Sequence, residues 1–366
     1  MNYKNKIITL VMAIFLAVLS FWSWCKERDT YSESERRVLA DFPKMSRESI
    51  VSGKFVKEFE AYAVDQFPMR EEFRSVKAAS ELYLLQKQDY NGLYVYDGYV
   101  AKQEYPLREK MLAHAAEHFQ EVYEQYMKNT EVRTYFSIIP DKNYFLAEKS
   151  GQLTLNYNQL MDYMKKETEY MSYIDITELL SIEDYYKTDT HWRQERIGDV
   201  AHRLAEEMGV ELIKNYEIDV LEQPFYGVYA GQLSLPVAPD ELAFCTNEVL
   251  ENCKVTSYST GIPIEQSIYD MEAAYGKDAY EMFLSGTEAL LVIENPMADT
   301  DKELIIFRDS FGSSLAPLLV EGYRKITLID TRYIHSSLLG EWVEFSDQDV
   351  LFLYSTLMLN NSLAMK

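Results

Sequence analysis

The chain opens with an uncharged apolar run at positions 7–24, preceded by Lys4 and Lys6 and closed by Trp22 and Trp24. A run of that length is near the lower limit for a helix that spans a bilayer core. The two lysines put the N-terminus on the cytoplasmic side and the body outside, and the indoles suit the far interface. A cleaved signal peptide is the rival reading. The Trp-rich exit lacks the small-x-small pattern of a cleavage site, so an uncleaved anchor over residues 1–25 is expected. Cys25 follows Trp24 rather than a small residue, which argues against a lipoprotein. Residues 26–52 are charged and turn-rich and read as a juxtamembrane stalk, leaving residues 53–366 as the body.

Within the body the apolar positions repeat at three and four over 55–87, with an interruption at Phe67-Pro68. They do so again over 108–128, where Met111, Ala115, Phe119, Val122 and Tyr126 share a stripe. Helix is also expected over 155–171, 192–208 and 313–321. The strongest is 192–208, with Ile197, Val200, Ala201, Leu204 and Met208 on one face and Gly209 as its stop. Short β-branched and aromatic runs at 134–140, 172–177, 289–294, 303–307, 325–329 and 350–354 read as strands. Residues 210–285 show no clean period and read as an irregular, partly β insertion. Strands alternating with helices predict an α/β fold, a parallel sheet with helices on both faces.

Composition narrows the classes. Of 366 residues 47% are hydrophobic, with 17 Phe, 29 Tyr and 4 Trp, which rules out global disorder. Fifty-nine acidic against 36 basic side chains give a net charge of -23, and that argues against nucleic-acid binding. Three Cys cannot make a disulfide-dense scaffold; Cys245 and Cys253 are close enough to bridge or to remain thiols.

In a sheet of this kind chemistry sits at the carboxyl ends of strands. Two segments put reactive side chains there. In ELIIFRDSFG (303–312) a strand runs into Ser310, on a tight turn before a helix. Backbone N–H groups of that turn are expected to donate to an oxyanion. Ser310 could equally be a helix N-cap. In YYKTDTHWR (185–193) Asp189 and His191 are two apart and, if extended, point to one side. Asp189 would then hold one imidazole nitrogen and leave the other to take a proton from a serine, with Trp192 shielding the pair. The plainer reading makes Asp189 an N-cap. No metal centre and no cofactor are expected, since no nearby His or Cys completes a ligand set. His114 and His118 lie four apart and read as solvated-face histidines; His202 and His335 have no evident partner.

Asp189-x-His191-Trp192 followed by Asp309-Ser310-Phe311-Gly312 resembles the DHHW proteins, which group with the SGNH-hydrolase-like proteins of alginate O-acetylation. The resemblance covers nearly the whole body. Ser32-Glu33-Ser34-Glu35-Arg36-Arg37 with Leu39 and Phe42-Pro43 is similar to the family's post-anchor block, and Asp65-Gln66-Phe67-Pro68 with Arg70 to its next one. Pro140-Asp141-Lys142 with Tyr144 resembles its Pro-x-Lys motif, and Asp330-Thr331-Arg332-Tyr333 its Asp-x-Arg-Tyr block. The family's second His is Thr190 here, and Ser285-Gly286-Thr287 stands where relatives often read Gly-Gly-Asn. Asp309 is expected to be a turn acceptor rather than a base.

The resemblance implies an SGNH-like fold and a triad of Asp189, His191 and Ser310. It implies acetyl transfer or ester hydrolysis at a cell-surface glycan, with Arg332, Tyr333 and Lys142 near strand ends to hold the glycan or the oxyanion. A membrane-bound O-acyltransferase supplying acetyl groups is the implied partner. A non-catalytic glycan-binding or assembly factor is the alternative. An acidic exterior fits a neutral or basic glycan better than a polyanion.

Overall fold

The computed structural model describes residues 3–212 and 215–366. Met1 and Asn2 of the expected cytoplasmic tip, and Ile213 and Lys214 of the irregular stretch, lie outside the described residues. The chain forms two compact units, one of residues 1–90 with 230–236, the other of residues 91–229 with 237–366.

The first unit begins with α1 (Tyr3–Cys25), among the described residues the one helix long and apolar enough to cross a membrane. A short ladder pairs Tyr31–Ser32 with Arg37–Val38, and α2 (Lys54–Asp65) and α3 (Arg70–Ala79) follow. The interruption expected at Phe67-Pro68 is the break between those helices. Residues 26–52 do not trail as an isolated stalk. Arg37 forks onto Asp65 through both terminal nitrogens, Arg70 reaches Glu35, and the Gln66 amide exchanges bonds with the Asp29 backbone. The two motif blocks that follow the anchor are thus partners. The Arg37 guanidinium holds the Asp65 carboxyl below its ordinary range against the cost of burial.

The second unit is built on an eight-stranded sheet: β1 (Arg133–Ile139), β2 (Ser172–Tyr173), β3 (Lys254–Ser257), β4 (Ile264–Gln266), β5 (Leu290–Glu294), β6 (Glu303–Arg308), β7 (Lys325–Ile329) and β8 (Asp349–Ser355). The spatial order is β4-β3-β5-β7-β6-β8-β1-β2. The five strands from β7 to β2 are parallel, and β5, β3 and β4 add on antiparallel. Two of the eight strands therefore come from the stretch read as irregular. The strand expected at 172–177 shortens to two residues.

Both faces of the sheet are covered, so its central strands are apolar without alternation. In β6 the side chains of Leu304 and Ile306 join the core on one face, and Ile305 and Phe307 the core on the other. The first core takes Val200, Ala201 and Leu204 of a helix at Gly198–Glu207. The second takes Leu112, Phe119 and Val122 of a helix at Glu109–Tyr126, and Leu160 and Met164 of one at Tyr157–Glu167. The helix expected from Trp192 starts only at Gly198, after a 3₁₀ turn at Gln194–Arg196, because Trp192 pairs across to Tyr185 in an antiparallel bridge. Cys245 and Cys253 are both thiols, so the bridge considered for them does not form.

Candidate active site

Ser310 stands one residue beyond Asp309, at the carboxyl end of β6. Asp309 fixes the turn: its Oδ1 accepts from Phe311 N at 3.0 Å and its Oδ2 from Ser355 N at 2.9 Å, at the end of neighbouring β8. It is the turn acceptor the motif suggested. Ser310 occupies the N-cap place of a short helix (Phe311–Leu315) but makes no side-chain cap bond. Its Oγ lies instead 2.7 Å from His191 Nε2. The helix turns back tightly here, since a Cβ on Gly312 would sit 2.7 Å from Arg308 Cβ.

His191 is 9% exposed, and its Nδ1 lies 2.6 Å from Asp189 Oδ1. The same oxygen accepts from His191 N at 3.0 Å, and Asp189 Oδ2 accepts from Val228 N at 2.8 Å. The carboxylate is fully buried and supplied with donors, as a buried charge requires. The N-cap readings of Ser310 and Asp189 give way to a continuous line of three side chains, hydroxyl to imidazole to carboxylate. A neutral imidazole whose Nδ1–H donates a hydrogen bond to a carboxylate presents a bare Nε2 to the hydroxyl.

The loop carrying the pair is braced from four sides. Trp192 closes its neck on Tyr185, and Trp192 Nε1 donates to Phe311 O at 3.1 Å and Ser314 Oγ at 2.9 Å, tying the segment of His191 to the helix that follows Ser310. The Asp240 carboxylate accepts from Lys187 N, Thr188 N and Thr188 Oγ1 at 2.6–2.8 Å. Gly227 lies so close that a Cβ there would be 2.2 Å from Asp189 Cβ. Tyr280 stacks on the imidazole, centroids 3.8 Å apart and planes 4° from parallel, and its hydroxyl meets Ser314 Oγ at 2.9 Å. Neither Gly227, Asp240 nor Tyr280 shows in the sequence as a site residue. All three come from the aperiodic stretch, and only its lack of a period marked it.

Three further candidates were expected near strand ends. Lys142 is 2% exposed, and its Nζ donates to the carbonyls of Tyr186 and Lys187 at 2.9 and 3.1 Å. It thereby holds the backbone of the loop that carries Asp189 and His191. Burial pushes its ammonium down to about 7, against the pull of Asp189 and Asp240. Arg332 and Tyr333 follow β7, the strand beside β6, and so leave the same carboxyl edge as Ser310. Arg332 is forked onto Asp330, with Nε–Oδ1 2.8 Å and Nη2–Oδ2 2.6 Å, and its guanidinium lies 5.3 Å from the Tyr333 ring centre. Tyr333 is half exposed. The oxyanion donors expected from the turn are corrected: Phe311 N and Gly312 N are both spent on Asp309.

The histidine pair on the helix differs from expectation too. His118 is 7% exposed, not solvated, and burial pushes it down to about 4; His114 Nδ1 meets Ser362 Oγ at 3.1 Å. Among the described residues no group of three or more metal-ligating side chains gathers. A cleft of about 860 Å³ opens at the opposite, amino edge of the sheet, lined by Arg133, Trp342 and Asp349, with no triad residue in its wall.

No family model matches the chain, and no curated protein matches it. Solved structures do. A DHHW family protein from Eubacterium siraeum superposes with a TM-score of 0.61 at 20% identity, over 75% of this chain and 94% of that one. Bacillus cereus PatB1 with a sulfonyl adduct gives 0.57 at 20% identity, over 73% and 95%. The O-acetyltransferase domain of Pseudomonas putida AlgJ gives 0.46 at 12% identity, over 74% and 92%. The chain has the mixed α/β fold of the first two of these structures, with a mostly parallel central sheet. At these identities the likeness speaks for the fold; the chemistry has to be argued from the side chains.

Proposed function

We propose that this chain is a membrane-anchored O-acetyltransferase acting on a cell-surface polysaccharide. The observation that carries the reading is the unbroken line Ser310 Oγ, His191 Nε2, His191 Nδ1, Asp189 Oδ1, with steps of 2.7 and 2.6 Å. Ser310 Oγ attacks the carbonyl carbon of an acetyl donor as its proton passes to His191 Nε2. Asp189 steadies the imidazolium through Nδ1. The proton then goes to the departing oxygen or sulfur, leaving acetyl on Ser310. A sugar hydroxyl reverses the sequence: it gives its proton to His191, takes the acetyl group and frees the serine. With Phe311 N and Gly312 N engaged, the backbone N–H of Ser310 itself is the oxyanion donor within the turn. One such donor is worth about 2.7–4 kcal/mol in the transition state.

Supporting the acyl-transfer class, a structure of the same fold, Bacillus cereus PatB1, carries a sulfonyl adduct. Sulfonyl groups are captured by activated nucleophiles. Supporting the anchor, α1 is 23 residues long with a mean hydropathy of 2.2 over its best window. Lys4 and Lys6 lie in its first turn, ahead of the uncharged run at 7–24, and such lysines favour a body on the outer side. The acetyl donor would then be delivered by a membrane-bound O-acyltransferase.

The test is to incubate the purified protein with a chromogenic acetyl ester and to look for an acetyl group on Ser310 by mass spectrometry. A Ser310 adduct whose decay speeds up with added oligosaccharide marks a transferase; decay in water alone marks a carbohydrate esterase. No adduct and no turnover would leave a glycan-binding factor and end the enzymatic reading.

A further inference from the structure

The net charge is divided very unevenly between the two units. Residues 26–90 hold 12 Lys and Arg against 13 Asp and Glu. With Lys4 and Lys6, and no charge in 230–236, the first unit has a net charge of about +1. The other 22 basic and 46 acidic residues give the second unit -24. Exposed apolar side chains divide the opposite way. Among the described residues, 14 large ones lie exposed in the 65 positions 26–90, against 15 in the 276 positions from 91 onward. That is about a fourfold difference in density.

These side chains are arranged as faces. Along α3 and the π-helical turn that continues it (Ser80–Leu84), Phe73, Val76, Tyr83 and Leu84 recur at spacings of three, seven and one and are 41–78% exposed. On α2, Val56 and Phe59 do the same, beside Phe42. Lys77 and Lys87 flank the first stripe, with long stems that can lie along an apolar surface while the ammonium stays wet. Contiguous exposed apolar surface of this kind marks a contact with something apolar.

From these observations we propose that the α2–α3 faces lie in the interfacial zone of the lipid bilayer that α1 crosses. The charge division selects lipid as the occupant. An anionic membrane surface repels a body of -24 but not a near-neutral unit. The span belongs to the same unit and ends at Cys25, with α2 starting under 30 residues further on. A helix with one apolar and one charged side, near-zero net charge and aromatic residues on the apolar side is suited to lying in the plane of the interface. The inference rests on the anchor reading, and the experiment below separates the two.

The full chain is reconstituted in nanodiscs of phosphatidylcholine and phosphatidylglycerol that contain a phospholipid with a diazirine near the glycerol end of its acyl chain. After irradiation, lipid adducts are mapped by peptide mass spectrometry. Adducts are expected on α1 and on peptides carrying Val56, Val76, Tyr83 and Leu84. A V76E/L84E variant, changed only at exposed positions, is expected to lose at least tenfold in labelling of the α3 stripe while α1 labelling stays constant. Label on α1 with none on 54–85 overturns the interfacial seat and spares the anchor. Label absent from α1 as well removes the anchor and the seat together. Stripe labelling undiminished in V76E/L84E also overturns the inference, because a face held by lipid cannot accept two carboxylates unchanged.

Discussion

His191 and His118 are 9% and 7% exposed, yet their surroundings differ in kind. Around His191 each ring nitrogen has a purpose-placed partner, a carboxylate on Nδ1 and a hydroxyl on Nε2, and a tyrosine ring covers one face. His118 lies on the buried face of its helix, Nε2 has no hydrogen-bond partner among the described residues, and the charges that further oppose its protonation are those of His114 and His335. Burial alone makes a histidine hard to charge. Burial with a carboxylate on one side makes it able to take a proton from the other. The surroundings of His118 suit packing and those of His191 suit proton transfer, though a count of buried histidines would rank them together.

The largest expected effect tests the His191 side. Ser310→Ala should lower acetyl transfer by about 10⁶-fold, as removal of a triad nucleophile does elsewhere, with the melting temperature unchanged. Activity near that of the parent protein would mean that the line of side chains is not a catalytic one. Asp189→Asn should cost about 10⁴-fold, because an amide can donate to Nδ1 and so favour the wrong tautomer. Full activity in that variant would make His191 no different from His118.

The next effect tests the His118 side. Its folded value of about 4 lies below the ordinary 6.5, so the unfolded chain binds the proton first as the pH falls. Stability is therefore lost between about pH 6.5 and 4, by about 3 kcal/mol from this residue. In urea unfolding at pH 7 and pH 4, His118→Gln should escape that share of the acid loss. An identical loss in both proteins would show that His118 charges freely in the folded state. Lys142→Met should reduce turnover about tenfold with little change in substrate KM, since two carbonyls under the triad loop lose their charged donor. A change confined to KM would return Lys142 to the ligand-binding role. The smallest effect belongs to Tyr280→Phe, which keeps the stack on the imidazole and gives up the bond to Ser314. A two- to threefold loss in kcat is expected, against about tenfold for Tyr280→Ala.

Much of this was legible in the chain. The central strands are continuous apolar runs because both faces of the sheet are covered, and such runs stand out. Ser310 was legible because a strand, a turn and a helix meet within ten residues, and Asp189 and His191 because their spacing is local. The braces were not. Gly227 matters for one approach of 2.2 Å, Asp240 for three donors more than 50 positions upstream, and Tyr280 for a ring face. Such contacts arise in three dimensions and leave no period. The occupied N–H groups of Phe311 and Gly312 were missed for a related reason. Asp309 reads as a turn residue, but nothing local says which donors it takes.

Ser310 and His191 are 119 positions apart, and the turn that aims the serine is pinned by Ser355, at the end of the strand formed last in the chain. A chain still being synthesised has Asp189 and His191 long before it has a fixed Ser310. Until β8 pairs on one side of β6 and on β1 beyond, the Asp309 turn lacks one of its two anchors. The protein should therefore stay inert throughout its own synthesis and begin to react with acyl donors only once its last strand has docked. Acquisition of reactivity toward a serine-directed probe would then serve as a clock for completion of the fold.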